Sequence, residues 1–161
     1  MNRRVFLGGA AATAIVATFW HMGTGEAEAA YPVTLTNAEW RKRLSPQAYA
    51  VLRQKSTEHP FTSPLNKEKR EGVYSCAGCE QRLFLSKTKF DSGTGWPSFY
   101  RPINSAIGTS TDRELGYSRT EVHCARCGGH LGHVFDDGPR PTGLRYCMNG
   151  VAMRFVAGKT R

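Results

Sequence analysis

The stretch R-T-E-V-H-C-A-R-C-G-G-H-L-G-H-V-F, residues 119–135, decides the fold class. Its opening residues belong to a candidate strand, Tyr117–His123, and its last three, His133–Phe135, form another. Between them Cys124-x-x-Cys127 makes a tight turn, and the glycines at 128, 129 and 132 argue against a regular helix. From Gly72 onward the same pattern repeats, short apolar runs punctuated by Gly, Pro and Asp-Gly. It gives candidate strands at Val73–Ser75, Arg82–Leu85 and Ala106–Ser110, and a long terminal pair at Leu144–Met148 and Ala152–Val156. No helical period interrupts them. Helices are expected only at the front, over roughly residues 36–55. There Thr36 and Glu39 make a capping box, and Ser45-Pro46 offers an N-cap with proline in the first turn. The expected fold is mainly β, a small antiparallel sheet assembly with short peripheral N-terminal helices.

A chain of 161 residues with 40% hydrophobic and 22% charged residues suits one globular domain and excludes a disordered or all-membrane reading. The net charge of +9 falls on the part after Ala29, because Arg3 and Arg4 are balanced by Glu26 and Glu28. The basic residues are scattered, with one dense run at Lys67, Lys69 and Arg70, so the charge points away from nucleic acid as a partner.

Residues 1–29 read as a signal peptide: a basic start at Arg3-Arg4, an apolar stretch from Val5 to Trp20, and small residues at Ala27 and Ala29. The string N-R-R-V-F-L resembles a twin-arginine signal, whose pathway carries folded proteins. The expectation is an exported, periplasmic domain over residues 30–161. The alternative is an uncleaved membrane anchor, since Val5 to Gly25 lacks charge.

The five cysteines divide into Cys76-x-x-Cys79, Cys124-x-x-Cys127 and a solitary Cys147. Two such pairs on tight turns can present four thiolates to one tetrahedral Zn²⁺, a structural task tying distant parts of a sheet together. Two alternatives stand beside this one. Cys124, Cys127, His130 and His133 could form a Cys₂His₂ site with Cys76 and Cys79 in a disulfide, or either pair could be a redox dithiol. Cys147 lies in L-R-Y-C-M-N-G, where the Arg145 guanidinium can favour the thiolate. Free cysteines are often inert core residues. Here, though, His130 and His133 offer proton transfer, Asn149 and Arg145 offer polar contacts, and the glycine-flanked loop at 93–99 presents Trp96 and Phe99. Together they suggest covalent thiol chemistry. A zinc-ribbon binding module and a Cys-x-x-Cys oxidoreductase are the competing classes; the first leaves Cys147 unexplained and the second lacks its βαβ context.

The strings C-A-G-C at 76–79, K-F-D-S-G-T-G-W-P-S-F at 89–99, residues 119–135 as quoted, and D-G-P-R-P-T-G-L-R-Y-C-M-N at 137–149 together resemble the B-type methionine sulfoxide reductases, over about residues 34–156. These enzymes reduce the R epimer of methionine sulfoxide. The resemblance implies two small antiparallel sheets with peripheral helices and a structural zinc on Cys76, Cys79, Cys124 and Cys127. It implies Cys147 as nucleophile, Trp96 as the wall receiving the substrate methyl, and Phe135 completing that wall. His130, His133, Arg145 and Asn149 would form the polar side of the pocket. Protein-bound methionine sulfoxide is the implied substrate, and the chain is expected to act as a monomer. Many family members carry Cys where this chain has Thr94, and that Cys resolves the sulfenic acid as an intramolecular disulfide. Thr94 cannot do so, which implies recycling by an external thiol or a thioredoxin-like partner. Tyr117 also departs from the pattern, standing where an apolar Met is common.

Overall fold

The structure, a computed structural model, describes residues 31–160; the expected signal segment at 1–29 lies outside them. Helix α1, Asn37–Arg43, opens on the capping box: the Glu39 amide donates to Thr36 Oγ1 at 3.3 Å and the Thr36 amide to Glu39 Oε2 at 2.8 Å. Helix α2, Pro46–Gln54, starts at Ser45 and ends on a left-handed Lys55. Among the described residues no helix is long and apolar enough to cross a membrane.

Among the described residues nine strands follow: β1 Gly72–Cys76, β2 Arg82–Leu85, β3 Lys89–Phe90, β4 Ser98–Phe99, β5 Ile107–Asp112, β6 Arg119–Cys124, β7 His130–Phe135, β8 Arg145–Met148 and β9 Met153–Ala157. They form two antiparallel sheets, ordered β2-β1-β9 and β3-β4-β8-β7-β6-β5. The terminal strands do not pair with each other as expected. A 3-10 turn at Gly150–Ala152 carries the chain from one sheet to the other, so β9 pairs with β1, Met153 opposite Cys76. The sequence reading also passes over β3 and β4, because two residues are too few to show a period. It starts β6 too early: Tyr117 lies in the turn before the strand.

The core lies between the sheets and under the helices. Phe84 stacks on Phe99 with centroids 4.3 Å apart, and Tyr74 meets Phe99 edge-on at 4.9 Å. Trp40 and Leu52, both 2% exposed, cover the cysteine turns: a Cβ on Gly78 would meet the Trp40 ring at 3.3 Å, and one on Gly129 would meet Leu52 at 2.8 Å. The helices thus cap the corner where the cysteine pairs meet.

Candidate active site

At that corner the sulfurs of Cys76, Cys79, Cys124 and Cys127 all lie within 4.8 Å of one another and all four residues are buried. The Cys76–Cys127 and Cys79–Cys124 sulfurs are 3.8 and 3.5 Å apart. A tetrahedral ion with bonds of about 2.3 Å to sulfur requires ligand separations of about 3.8 Å, so the cluster fits a metal ion of this kind. Arg53 and Arg126 donate to the carbonyls of Cys127 and Cys79, at 2.9 and 3.1 Å. His130 and His133 take no part in the cluster, which leaves them to other partners.

Cys147 sits on β8 in the middle of the larger sheet, opposite Ser98 of β4 on one side and His133 of β7 on the other. This closeness needs a glycine: a Cβ on Gly132 would lie 2.1 Å from the Cys147 carbonyl oxygen. The half-buried thiol opens on a cavity of about 120 Å³ lined by Thr57, Trp96, Arg119, His133, Phe135 and Asn149. A chain of hydroxyls leads to it. Ser98 Oγ lies 2.7 Å from Ser92 Oγ, Ser92 Oγ 2.8 Å from Thr94 Oγ1, and Thr94 Oγ1 3.8 Å from Cys147 Sγ. Burial pushes the Cys147 thiol above the ordinary value, and Thr94, Arg145 and Ser98, which draw it back, do not offset that. The expected help from Arg145 is therefore only partial. Its guanidinium is committed to Asp137 by two bonds of 2.8 Å and lies 4.4 Å over the Phe135 ring.

His133 Nε2 is 2.7 Å from Asp112 Oδ2, which also takes Arg119 Nη2 at 2.5 Å. The Glu114 amide, and after it His133, hold the Asp112 carboxyl down to about 2, while burial lowers the His133 imidazole. An ionised Asp112 beside a neutral ring accepts the Nε2 proton, which fixes the tautomer and leaves Nδ1 as acceptor. His130 stands one layer back, its ring 5.4 Å from that of His133 and its Nδ1 2.8 Å from Glu121 Oε1. Glu121 in turn holds Lys55 at 2.9 Å and Ser110 at 2.8 Å. The buried Nε2 of His130 has no hydrogen-bond partner among the described residues.

Of the residues singled out in the sequence, Trp96, His133, Phe135 and Asn149 meet at the Cys147 cavity, while His130 and Arg145 support it from behind. Asn149 is already engaged: its Oδ1 accepts from the Glu58 amide at 2.9 Å and its Nδ2 donates to the Leu131 carbonyl at 3.1 Å. One N–H of that amide stays free. Glu58 itself was not legible beforehand. Its carboxylate accepts from the amides of Gly150 and Val151, at 2.5 and 3.0 Å, and its carbonyl accepts from Trp96 Nε1 at 3.1 Å. It fastens the 57–62 loop, the Trp96 wall and the turn after Cys147 together. Asp112 and Arg119 were missed too, although a β5 read two residues longer would have faced them across the hairpin.

The SelR domain family model matches residues 44–157. The peptide methionine sulfoxide reductase MsrB of Pseudomonas putida (strain W619) is 58% identical over 121 residues, covering 74% of this chain and 91% of that protein. MsrB of Leptospira interrogans is 51% identical over 126 residues, 78% and 96% of the two chains. The chloroplastic peptide methionine sulfoxide reductase B1 of Arabidopsis thaliana is 52% identical over 138 residues, 84% and 68% of the two.

Proposed function

The chain belongs to the SelR-domain family of methionine sulfoxide reductases, and from that premise we propose that it reduces the R epimer of methionine sulfoxide in peptides and proteins with Cys147 as nucleophile. The observation that carries this reading is the single half-buried thiol at a small cavity, with the apolar walls Trp96 and Phe135 beside the polar groups of His133 and Asn149.

The Cys147 proton passes across the cavity to His133, which lines it too and whose imidazolium Asp112 stabilises. The thiolate attacks the sulfoxide sulfur to form a sulfur–sulfur bond, the proton returns to the sulfoxide oxygen, and that hydroxyl then passes to Cys147 Sγ as the substrate's sulfur–oxygen bond and the new sulfur–sulfur bond both break. That oxygen ends as the hydroxyl of a Cys147 sulfenic acid, and methionine leaves. The substrate sulfur gains two electrons and Cys147 Sγ loses two. Handedness follows from the pocket: with the methyl on Trp96 and the oxygen toward the polar side, one epimer alone turns its sulfur to the thiolate.

Thr94 is the hydroxyl nearest Cys147 and can form no disulfide. Recycling falls to an external donor, a thioredoxin-like protein or another thiol. One donor thiol forms a mixed disulfide with Cys147 and releases water, and a second frees Cys147 as the donor disulfide forms. The metal held by Cys76, Cys79, Cys124 and Cys127 is zinc on this reading. It supplies cross-linking between the sheets and no chemical step. Export through the twin-arginine-like leader suits a domain that takes up metal as it folds, and cell fractionation tests it.

The deciding experiment is an epimer-resolved assay on a methionine sulfoxide peptide with purified protein and dithiothreitol. The R epimer should disappear and the S epimer persist; consumption of the S epimer would overturn the assignment. In the same preparation, a sulfenic-acid trap after one turnover should label Cys147, and a disulfide from Cys147 to any other cysteine would refute the recycling scheme.

A further inference from the structure

Cys147 is held by its strand neighbours, but the residues one step beyond it are not. The Ser98–Cys147 pairing and the Met148 amide on the Pro97 carbonyl, at 3.0 Å, are the last backbone ties of β4 to β8 on that side. Continued by one step, the register sets Trp96 opposite Asn149, on the face that carries Cys147. Both residues line the cavity, and among the described residues no hydrogen bond joins them directly.

Glu58 bridges the two. Its carbonyl accepts from Trp96 Nε1 at 3.1 Å and its amide donates to Asn149 Oδ1 at 2.9 Å, so the main chain of one residue orients the indole and the side-chain amide together. What seats that main chain is the Glu58 side chain. Gly150 and Val151 open the 3-10 turn after Asn149, where the first amides find no partner within the turn. The Glu58 carboxylate accepts from both, at 2.5 and 3.0 Å. The turn and the loop meet closely enough to require a glycine, because a Cβ on Gly150 would lie 1.8 Å from Ser63 Oγ and 3.3 Å from Glu58 Oε1. Ser56 is tied back to Ala50 of α2 and Phe61 forward to Gly95. Between them, among the described residues, every hydrogen bond that ties residues 57–60 outside their own loop runs through Glu58.

The cavity these contacts border is small, about 120 Å³ against the roughly 300 Å³ at which ligand pockets begin, so it receives the end of a side chain and a displaced wall changes what fits. We propose that Glu58 is a positioning residue that sets the size of the S-alkyl group the enzyme accepts: clamped on the Gly150 and Val151 amides, it holds the Trp96 indole in place and closes the methyl end to larger groups. Glu58 does not itself line the cavity and acts through Trp96 and Asn149. The inference rests on the proposed sulfoxide reduction and assigns its selectivity to one further side chain.

The test measures kcat/KM of the full-length protein for N-acetylmethionine R-sulfoxide and for its S-ethyl homologue of the same sulfur configuration. The wild type should favour the methyl compound by at least about tenfold, the discrimination a fitted apolar pocket makes for one methylene. Glu58→Ala should lower that ratio by about fivefold or more. Glu58→Gln keeps one acceptor oxygen and turns an N–H toward the second amide, so its ratio should fall in between. Both substrates are measured on one preparation, so the ratio does not depend on the folded fraction, and if Glu58→Ala does not fold the ratio in Glu58→Gln decides. Variants that slow both substrates equally show a structural role and overturn the inference, as does a wild type without preference for methyl; either result leaves the reductase reading in place. Failure of the wild type to reduce N-acetylmethionine R-sulfoxide at all strikes the reductase reading itself.

Discussion

The four-cysteine corner and the Cys147 pocket use the same side chain on neighbouring parts of one β framework, and differ in company and cover. At the corner each sulfur has three others within 4.8 Å, with Trp40 and Leu52 closing the outside. In the pocket the sulfur is half-buried and faces a hydroxyl, an imidazole across the strand pair, and an open cavity. What stands within the next few ångströms, rather than the cysteine itself, suits four of the thiols to a metal ion and, on the proposed reading, the fifth to nucleophilic attack.

The sharpest way to break this contrast is at the metal. Cys124→Ser removes one ligand, and loss of the ion should cost on the order of 10 kcal/mol of folding free energy, comparable to the whole reserve of a domain this size. Metal analysis and circular dichroism should show an unfolded, metal-free chain; a folded one would mean the corner is not a structural site. Next in size is Cys147→Ser, for which sulfoxide reduction should fall by at least about 10⁴-fold with metal content and melting temperature nearly unchanged. Loss of metal in that variant would erase the division of labour between the two regions.

Smaller effects probe the pocket alone. Asp112→Asn deprives His133 of the carboxylate that fixes its tautomer, and kcat should fall about 10²-fold with KM little altered, as steady-state kinetics would show. The smallest change concerns charge. Because burial holds the Cys147 thiol above its ordinary value and the thiolate is the reactive form, the rate of alkylation by iodoacetamide should climb about tenfold per pH unit through neutrality. Asp137→Asn removes the carboxylate that occupies Arg145, so the thiolate gains positive field and the midpoint should move down, by less than about one unit. An unmoved midpoint would uncouple Arg145 from the nucleophile.

The corner was readable in the sequence because Cys-x-x-Cys is a local spacing, and the turn that brings two ligands together lies within the motif. The pocket was legible in part. Trp96 and Cys147 stand in distinctive strings, but Glu58 lies in the unremarked stretch T-E-H-P and acquires its task only when the 57–62 loop meets the turn after β8. Asp112 was hidden for a different reason: it falls at the end of β5, past the point where the apolar run stops. The exchange of β9 from its neighbour in sequence to β1 was equally out of reach, since both pairings present the same residue types and only the 3-10 turn at Gly150–Ala152 separates them.

That strand exchange has a consequence for assembly. Residues 147–153 run from the Cys147 thiol to the partner of Cys76, and the Ala77 amide donates to the Ala152 carbonyl at 2.9 Å beside it. The proposed nucleophile is therefore joined to the four-cysteine corner by a short tether of its own backbone. On the proposed reading, a chain without its ion lacks the cross-link that fixes the two sheets where that tether ends, so an incomplete molecule should be silent rather than indiscriminate.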